Sequence, residues 1–272
     1  MTTSTARSAM LFSSLDTFAV DDGPAALALE LCSAVGASLT AVLLDLQSAS
    51  PNPQPPAAGT DAETVNDQVR QLGAAAAGRG IDANIVTTLQ HSFGVGGCLS
   101  DHLRLHDVGI IGASREGLMS ERILAEHLIF EGGRPLIVAP ARLARRFAPG
   151  RIVAAWDNTR AAARALNDAI ALFGPAAEIV LLTVGDDKDI TCSLDADEVV
   201  ETLRRRGLRV TAERHERGRG EIGDALQQAA RDLGGDLLVM GGYARSRMTE
   251  LLLGGATVQV LDDPQLPVLL SH

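Results

Sequence analysis

Apolar residues in this chain fall into short runs, separated by longer stretches in which alanine and leucine recur at helical spacing. Runs such as Val108-Gly109-Ile110-Ile111 and Leu237-Leu238-Val239-Met240 lack polar alternation, so the strands they predict are buried on both faces. In the first half the pattern predicts strands over residues 10–15, 39–46, 81–89, 108–111 and 135–139, with helices over 23–35, 62–77, 95–105 and 120–130 between them. Asp61 is placed to cap the second of these helices. Residues 47–60, rich in Pro, Ser and Ala, read as a surface loop.

From residue 151 the series starts again. Strands are predicted over 152–156, 178–184, 208–214, 237–240 and 268–270, and helices over 159–173, 195–206, 221–233 and 246–261. Doubly apolar strands that alternate with helices imply parallel sheets covered on both sides, an α/β class. A charged segment over 142–150, ending in Pro149-Gly150, separates the halves, giving expected domains 1–146 and 147–272. The halves can be overlaid as a duplication. Leu11-Phe12-Ser13-Ser14-Leu15-Asp16 then falls on Ile152-Val153-Ala154-Ala155-Trp156-Asp157, and Gly132-Gly133 on Gly254-Gly255.

Composition narrows the function classes. With 272 residues, 46% of them hydrophobic and 21% charged, the chain can fill a substantial core. A net charge of -10 without a long basic run speaks against nucleic acid or an anionic membrane surface as partner. Residues 9–15 read as a first strand rather than an export signal, and no apolar run is long enough to span a membrane. Cys32, Cys98 and Cys192 are scattered and odd in number, which fits a reducing compartment and a cytoplasmic location.

The chemistry is concentrated near the end of the chain. Gly241-Gly242-Tyr243-Ala244 follows a buried strand, and Gly254-Gly255-Ala256-Thr257 follows a further amphipathic stretch. Glycines where a parallel strand gives way to a helix let backbone N–H groups approach an anion without an intervening Cβ, so a nucleotide phosphate site is expected here.

These residues resemble the universal stress protein family. The second half carries the likeness through Ile152-Val153-Ala154-Ala155-Trp156-Asp157, the Gly241 to Thr257 segment and Leu266-Pro267-Val268-Leu269-Leu270, and the whole chain resembles the tandem form with two fused domains. The resemblance implies two open, twisted, five-stranded parallel sheets flanked by helices, Rossmann-like and of the adenine nucleotide alpha hydrolase kind. It also implies pairing of the domains through their last strands, and ATP or AMP binding in some members, with magnesium accompanying ATP.

Nucleotide-binding members carry Gly, two residues, Gly, nine residues, Gly, then Ser or Thr, together with an Asp ending the first strand. Asp157, Gly241 and Gly254 match that pattern, whereas Ala244 replaces the second glycine and Gly255 the hydroxyl residue. The resemblance places Val184 near the base, by matching the end of the family's second strand. Arg245 and Arg247 beside the turn either reach a phosphate or lie on a solvated helix face. Asp157 can also serve simply as a cap for the helix that follows. In the first half, Gly112-Ala113-Ser114-Arg115-Glu116-Gly117 lacks the motif spacing, and Asp16 has no glycine set to work with, so that domain is expected not to bind nucleotide.

Cys98, His102 and His106 recur at four-residue spacing on a predicted helix, with His91 just upstream, which can face one metal or form a packing margin. No GxSxG elbow, HExxH or P-loop is present, so the chain reads as a binding protein rather than an enzyme. The expected function is a cytosolic stress-response protein holding ATP or AMP in its C-terminal domain, with a homodimer as the expected assembly. The alternative is a nucleotide-free interaction module that acts through its dimer surface or another small ligand.

Overall fold

A computed structural model describes residues 7–15, 18–44, 62–88, 94–116, 120–143, 146–185, 196–242, 244–247, 250–253 and 255–272. The expected positions Asp16, Asp61, His91, Cys192 and Gly254 lie outside the described residues. The chain divides into two compact units, Met1–Phe147 and Ala148–His272.

In the first unit the elements run β1 (Arg7–Ser14), α1 (Gly23–Val35), β2 (Ala37–Leu44), α2 (Ala62–Ala77), β3 (Ala83–Thr88), α3 (Val95–Leu103), β4 (Val108–Ile111), α4 (Glu121–Glu131) and β5 (Leu136–Val138). Their sheet is wholly parallel, in the order β3-β2-β1-β4-β5. Met10, Leu11 and Phe12 of the central strand are fully buried, as the unbroken apolar run requires. Each such side chain withdrawn from water stabilises the fold by about 1.5–3 kcal/mol. Asp22 caps α1, accepting from Gly23 N at 2.8 Å, and Gly36 closes the same helix in the left-handed region at φ 66°.

The second unit repeats the plan with β6 (Arg151–Ala155), α5 (Arg160–Phe173), β7 (Glu178–Val184), α6 (Ala196–Arg205), β8 (Arg209–His215), α7 (Ile222–Asp232), β9 (Leu237–Gly241), β10 (Ala244–Arg247), β11 (Glu250–Leu253), α8 (Gly255–Asp262) and β12 (Val268–Ser271). Its parallel order is β12-β9-β6-β7-β8. In both units the chain order reverses beside the first strand. That is the place where open parallel sheets leave a crevice at their carboxyl edge.

Three expectations need correction. The helix expected over 246–261 is not continuous: β10 and β11 form an antiparallel pair, and α8 starts only at Gly255. A continuous helix would have carried Gly254 and Gly255 in its interior, at about 1 kcal/mol each relative to alanine. Gly255 therefore marks its beginning.

The overlay of the halves shifts by two residues. Asp107 accepts from Ser8 N at 2.8 Å through its side chain while its own N–H donates to Ser8 O at 2.9 Å. Asp236 makes the same pair of bonds with Arg151, both at 2.8 Å. Ser8 thus corresponds to Arg151, which sets Ser14, rather than Asp16, at the place of Asp157. A slip of two residues keeps every side chain on its original face, so the hydrophobic pattern cannot detect it. Gly132, moreover, follows α4 as its C-cap, whereas Gly255 opens α8, so these glycines are not counterparts.

The third correction concerns His106. Helix α3 ends at Leu103, so His106 lies beyond it, with its Nδ1 2.9 Å from His102 O. Only Cys98 and His102 remain on one helix, and among the described residues no cluster of three or more His, Cys, Asp or Glu is arranged to hold a metal. Among the same residues no helix is long and apolar enough to cross a membrane.

Cys32 is buried against β2, its thiol donating to Ser38 O at 3.8 Å, and burial pushes its pKa from 9.0 up to about 12. The folded thiol stays neutral where the unfolded one ionises, so its contribution is intact below pH 9 and is lost as the pH rises towards 12, at about 1.4 kcal/mol per pH unit. Between pH 9 and about pH 10.5 the wild type should lose about 2 kcal/mol more than Cys32→Ala. Urea midpoints at the two pH values test this, and equal losses would refute it.

Candidate functional site

A cavity of about 340 Å³ opens at the carboxyl edge of the second sheet, beside the β6/β9 reversal. This volume lies within the range typical of small-molecule sites. Its apolar wall comes from the strand ends and one helix. Ala155 and Leu182 are partners in register across β6 and β7, Val184 lies two residues further on the same face, and Ile222 and Leu226 of α7 stand opposite.

The polar wall is built from helix beginnings. Thr159 caps α5, its Oγ1 accepting from Ala162 N at 3.2 Å. Asp157 does not cap that helix; its Oδ1 accepts from Thr159 N at 3.0 Å and Thr159 Oγ1 at 2.7 Å, which positions the capping residue. Asn158 between them sits at φ 60°, a left-handed conformation that asparagine tolerates better than most residues. On the far side, Gly255, Ala256 and Thr257 bring the first turn of α8 to the cavity. The first N–H groups of a helix lack intrahelical acceptors, and the dipole adds positive potential there. Two helix N-termini thus face one space.

Of the expected site residues, Asp157, Val184, Gly241 and Gly255 line this cavity. Ala244 and Arg245 lie in β10, paired in register with Leu253 and Leu252, and their side chains are outside the described set, as is Gly254 altogether. Gly241 has a second role. A Cβ there would lie 2.7 Å from Ala161 C, Ala161 Cβ and Ala162 N, so the missing side chain makes room for the first turn of α5. At Gly255 the surroundings are open, the nearest atom to a Cβ being Gln259 Nε2 at 3.9 Å.

Sequence reasoning missed Thr159, Ile222, Leu226, Met240 and Thr257 as cavity residues. Thr159 had a signal, since it precedes the helical run and Asp157 stands two positions before it. Ile222 and Leu226 share a helix face by their four-residue spacing. Which end of the sheet that face meets becomes visible only with the strand order.

The second unit is therefore an α/β domain with an open, partly apolar crevice at its strand-order reversal. Residues 149–272 match the universal stress protein family and form a domain of that family. Across nearly its full length the chain is similar in fold to a universal stress protein from Archaeoglobus fulgidus, at 15% identity and TM-score 0.66, with 97% of each chain covered. A Pseudomonas aeruginosa protein provisionally assigned to the same family matches at 16% identity and TM-score 0.57, over 98% of this chain and 93% of its own. At such identities the likeness is one of fold, and it is what relates the first unit to these proteins. No curated protein matches the chain in sequence.

Proposed function

We propose that the second unit binds an adenine nucleotide, ATP or AMP, in the cavity at the carboxyl edge of its sheet. The observation that carries this reading is the pairing of an apolar slot, walled by Ala155, Leu182, Val184 and Leu226, with two helix N-termini across one cavity of about 340 Å³. A nucleobase suits the slot, and phosphates suit the helix ends. Asp157, a carboxylate, suits a sugar hydroxyl and not a phosphate. Gly255 opens α8 on the phosphate side, the sequence motif adds Gly254, Ala244 and Arg245 to the expected phosphate contacts, and magnesium would enter with the phosphates of ATP.

The test is direct. Mass spectrometry of small molecules released from the denatured protein, together with calorimetry at millimolar ATP and AMP, should reveal the ligand. Absence of both a released nucleotide and binding heat would end this reading. One observation favours the alternative of a nucleotide-free interaction module: Gly241 is required by the packing of α5, so its presence does not by itself call for a ligand. Light scattering on the full chain tests the homodimer, and a mass of one chain would remove it.

Gly255 also yields a prediction that runs toward gain. A side chain at this position meets open space, and its φ is not among the positive values, so Gly255→Ser should fit without strain. The new hydroxyl would add one hydrogen bond to a phosphate, worth about 0.5–1.5 kcal/mol. Nucleotide affinity should therefore rise about 2- to 10-fold by calorimetry. Unchanged affinity would place the phosphates away from this turn.

A further inference from the structure

The first unit carries a buried carboxylate that the proposed function does not use. Glu121, the first residue of α4, is only 4% exposed although it carries a carboxyl group and opens a helix. Its Oε1 accepts from Ser14 N at 3.2 Å, and its Oε2 accepts from Ser114 N at 3.3 Å. A Cβ at Gly112 would fall inside the carboxylate, so Gly112 leaves the room in which it sits.

The position has a direct counterpart in the second unit. The shared bonds of Asp107 and Asp236 align β4 with β9, and Gly109 N donates to Pro135 O at 2.9 Å as Leu238 N does to Pro267 O at 3.0 Å. Gly112 thereby corresponds to Gly241, which lines the open cavity. By the strand register Val42 and Leu44 correspond to Leu182 and Val184, and by their helix positions Val95 and Leu99 correspond to Ile222 and Leu226. These four line what remains of the crevice in the first unit, about 90 Å³. The apolar slot has narrowed, and beside it, at the strand ends, lies the Glu121 carboxylate.

We propose that the first unit holds a second anion cradle at its carboxyl edge, formed by Ser14 N–H, Ser114 N–H and the space above Gly112, in which Glu121 is the resident anion. The chain supplies from its own α4 the kind of group that a ligand's phosphate or carboxylate would supply. The first turn of α4, capped by Ser120 Oγ accepting from Ile123 N at 3.4 Å, favours a negative charge at the same point. Withdrawing Glu121 exposes a site for a small oxyanion, inorganic phosphate or acetate, whether or not the second unit binds a nucleotide.

The experiment uses the full chain with Glu121→Ala and Glu121→Gln. Glu121→Ala should melt several degrees lower than wild type. Phosphate or acetate at tens of millimolar should raise it further than chloride at equal ionic strength, with movement of the Ser14 and Ser114 amide resonances. Glu121→Gln keeps the volume but turns an acceptor oxygen into an amide N–H, so it should melt low and gain nothing from either anion. If Glu121→Ala folds only in phosphate or acetate, the cradle is supported. If it melts like wild type, or responds to phosphate and acetate no more than to chloride, the proposal fails. If it folds in none of them, Glu121→Gln decides, since a wild-type melting point for that variant would show that no anion is needed.

Discussion

Gly241→Ala should destabilise the second unit by about 3 kcal/mol, the high end of what one added methyl does in a packed interior. The reason is the kind of atom in the way. A Cβ at 241 meets Ala161 C and Ala162 N at 2.7 Å, which are main-chain atoms of the first turn of α5, and main chain cannot rotate aside as a side chain can. Relief requires that the first turn of α5, with its Thr159 cap on Ala162 N, move away from β9. Urea unfolding of wild type and variant checks this: the midpoint should fall with the slope unchanged. A variant as stable as wild type would mean that the helix shifts freely, and Gly241 would then be better explained by approach to a ligand. Loss of nucleotide binding in this variant would be uninformative, because the cavity wall moves with α5.

The same glycine shows what was legible in the sequence. A strand ending in Gly241 could be read from Leu237-Leu238-Val239-Met240, because a doubly apolar run between helices has few other interpretations. The α/β class and the repetition of the plan followed from such runs. What the glycine accommodates depends on which helix crosses the strand end, a long-range fact with no local signature. The two-residue slip in the overlay has a related origin. Both alignments put apolar side chains on the same faces, and the true register is fixed by Asp107 and Asp236, whose bonds to Ser8 and Arg151 span 99 and 85 residues. The expected helix over 246–261 failed locally: Glu250 to Leu253 has good helix formers, but strand pairing of β10 with β11 and the glycines after it outweighed that preference.

The two units also differ in a way that the glycine pattern alone did not disclose. The first was expected to lack nucleotide because its spacing departs from the motif. In that unit the strand-end position at Gly112, the counterpart of Gly241, is taken up by the Glu121 carboxylate. An acid at the first turn of a helix is ordinarily explained by the helix dipole alone. At 4% exposure, with two backbone donors from the ends of other elements, it does more than that.

Under the proposed nucleotide reading, Ala155→Phe should weaken binding at least about 30-fold while leaving the second unit folded. Ala155 ends β6, is only partly buried, and lines the cavity beside its register partner Leu182, so a larger side chain there extends into open space before it meets protein. Aromatic residues are favoured in strands, which removes a backbone objection to the change. A phenyl ring would take up much of a slot that belongs to a cavity of about 340 Å³. A base displaced from its apolar wall should lose at least about 2 kcal/mol, or about 30-fold in affinity. Calorimetry with ATP and AMP reads the loss, and a melting temperature within a few degrees of wild type shows that the fold is kept. Because Gly255→Ser acts on the opposite wall and should tighten binding, the two variants bracket the ligand. Opposite changes in affinity place it across the cavity, whereas an Ala155→Phe variant that binds like wild type would move the base out of the slot.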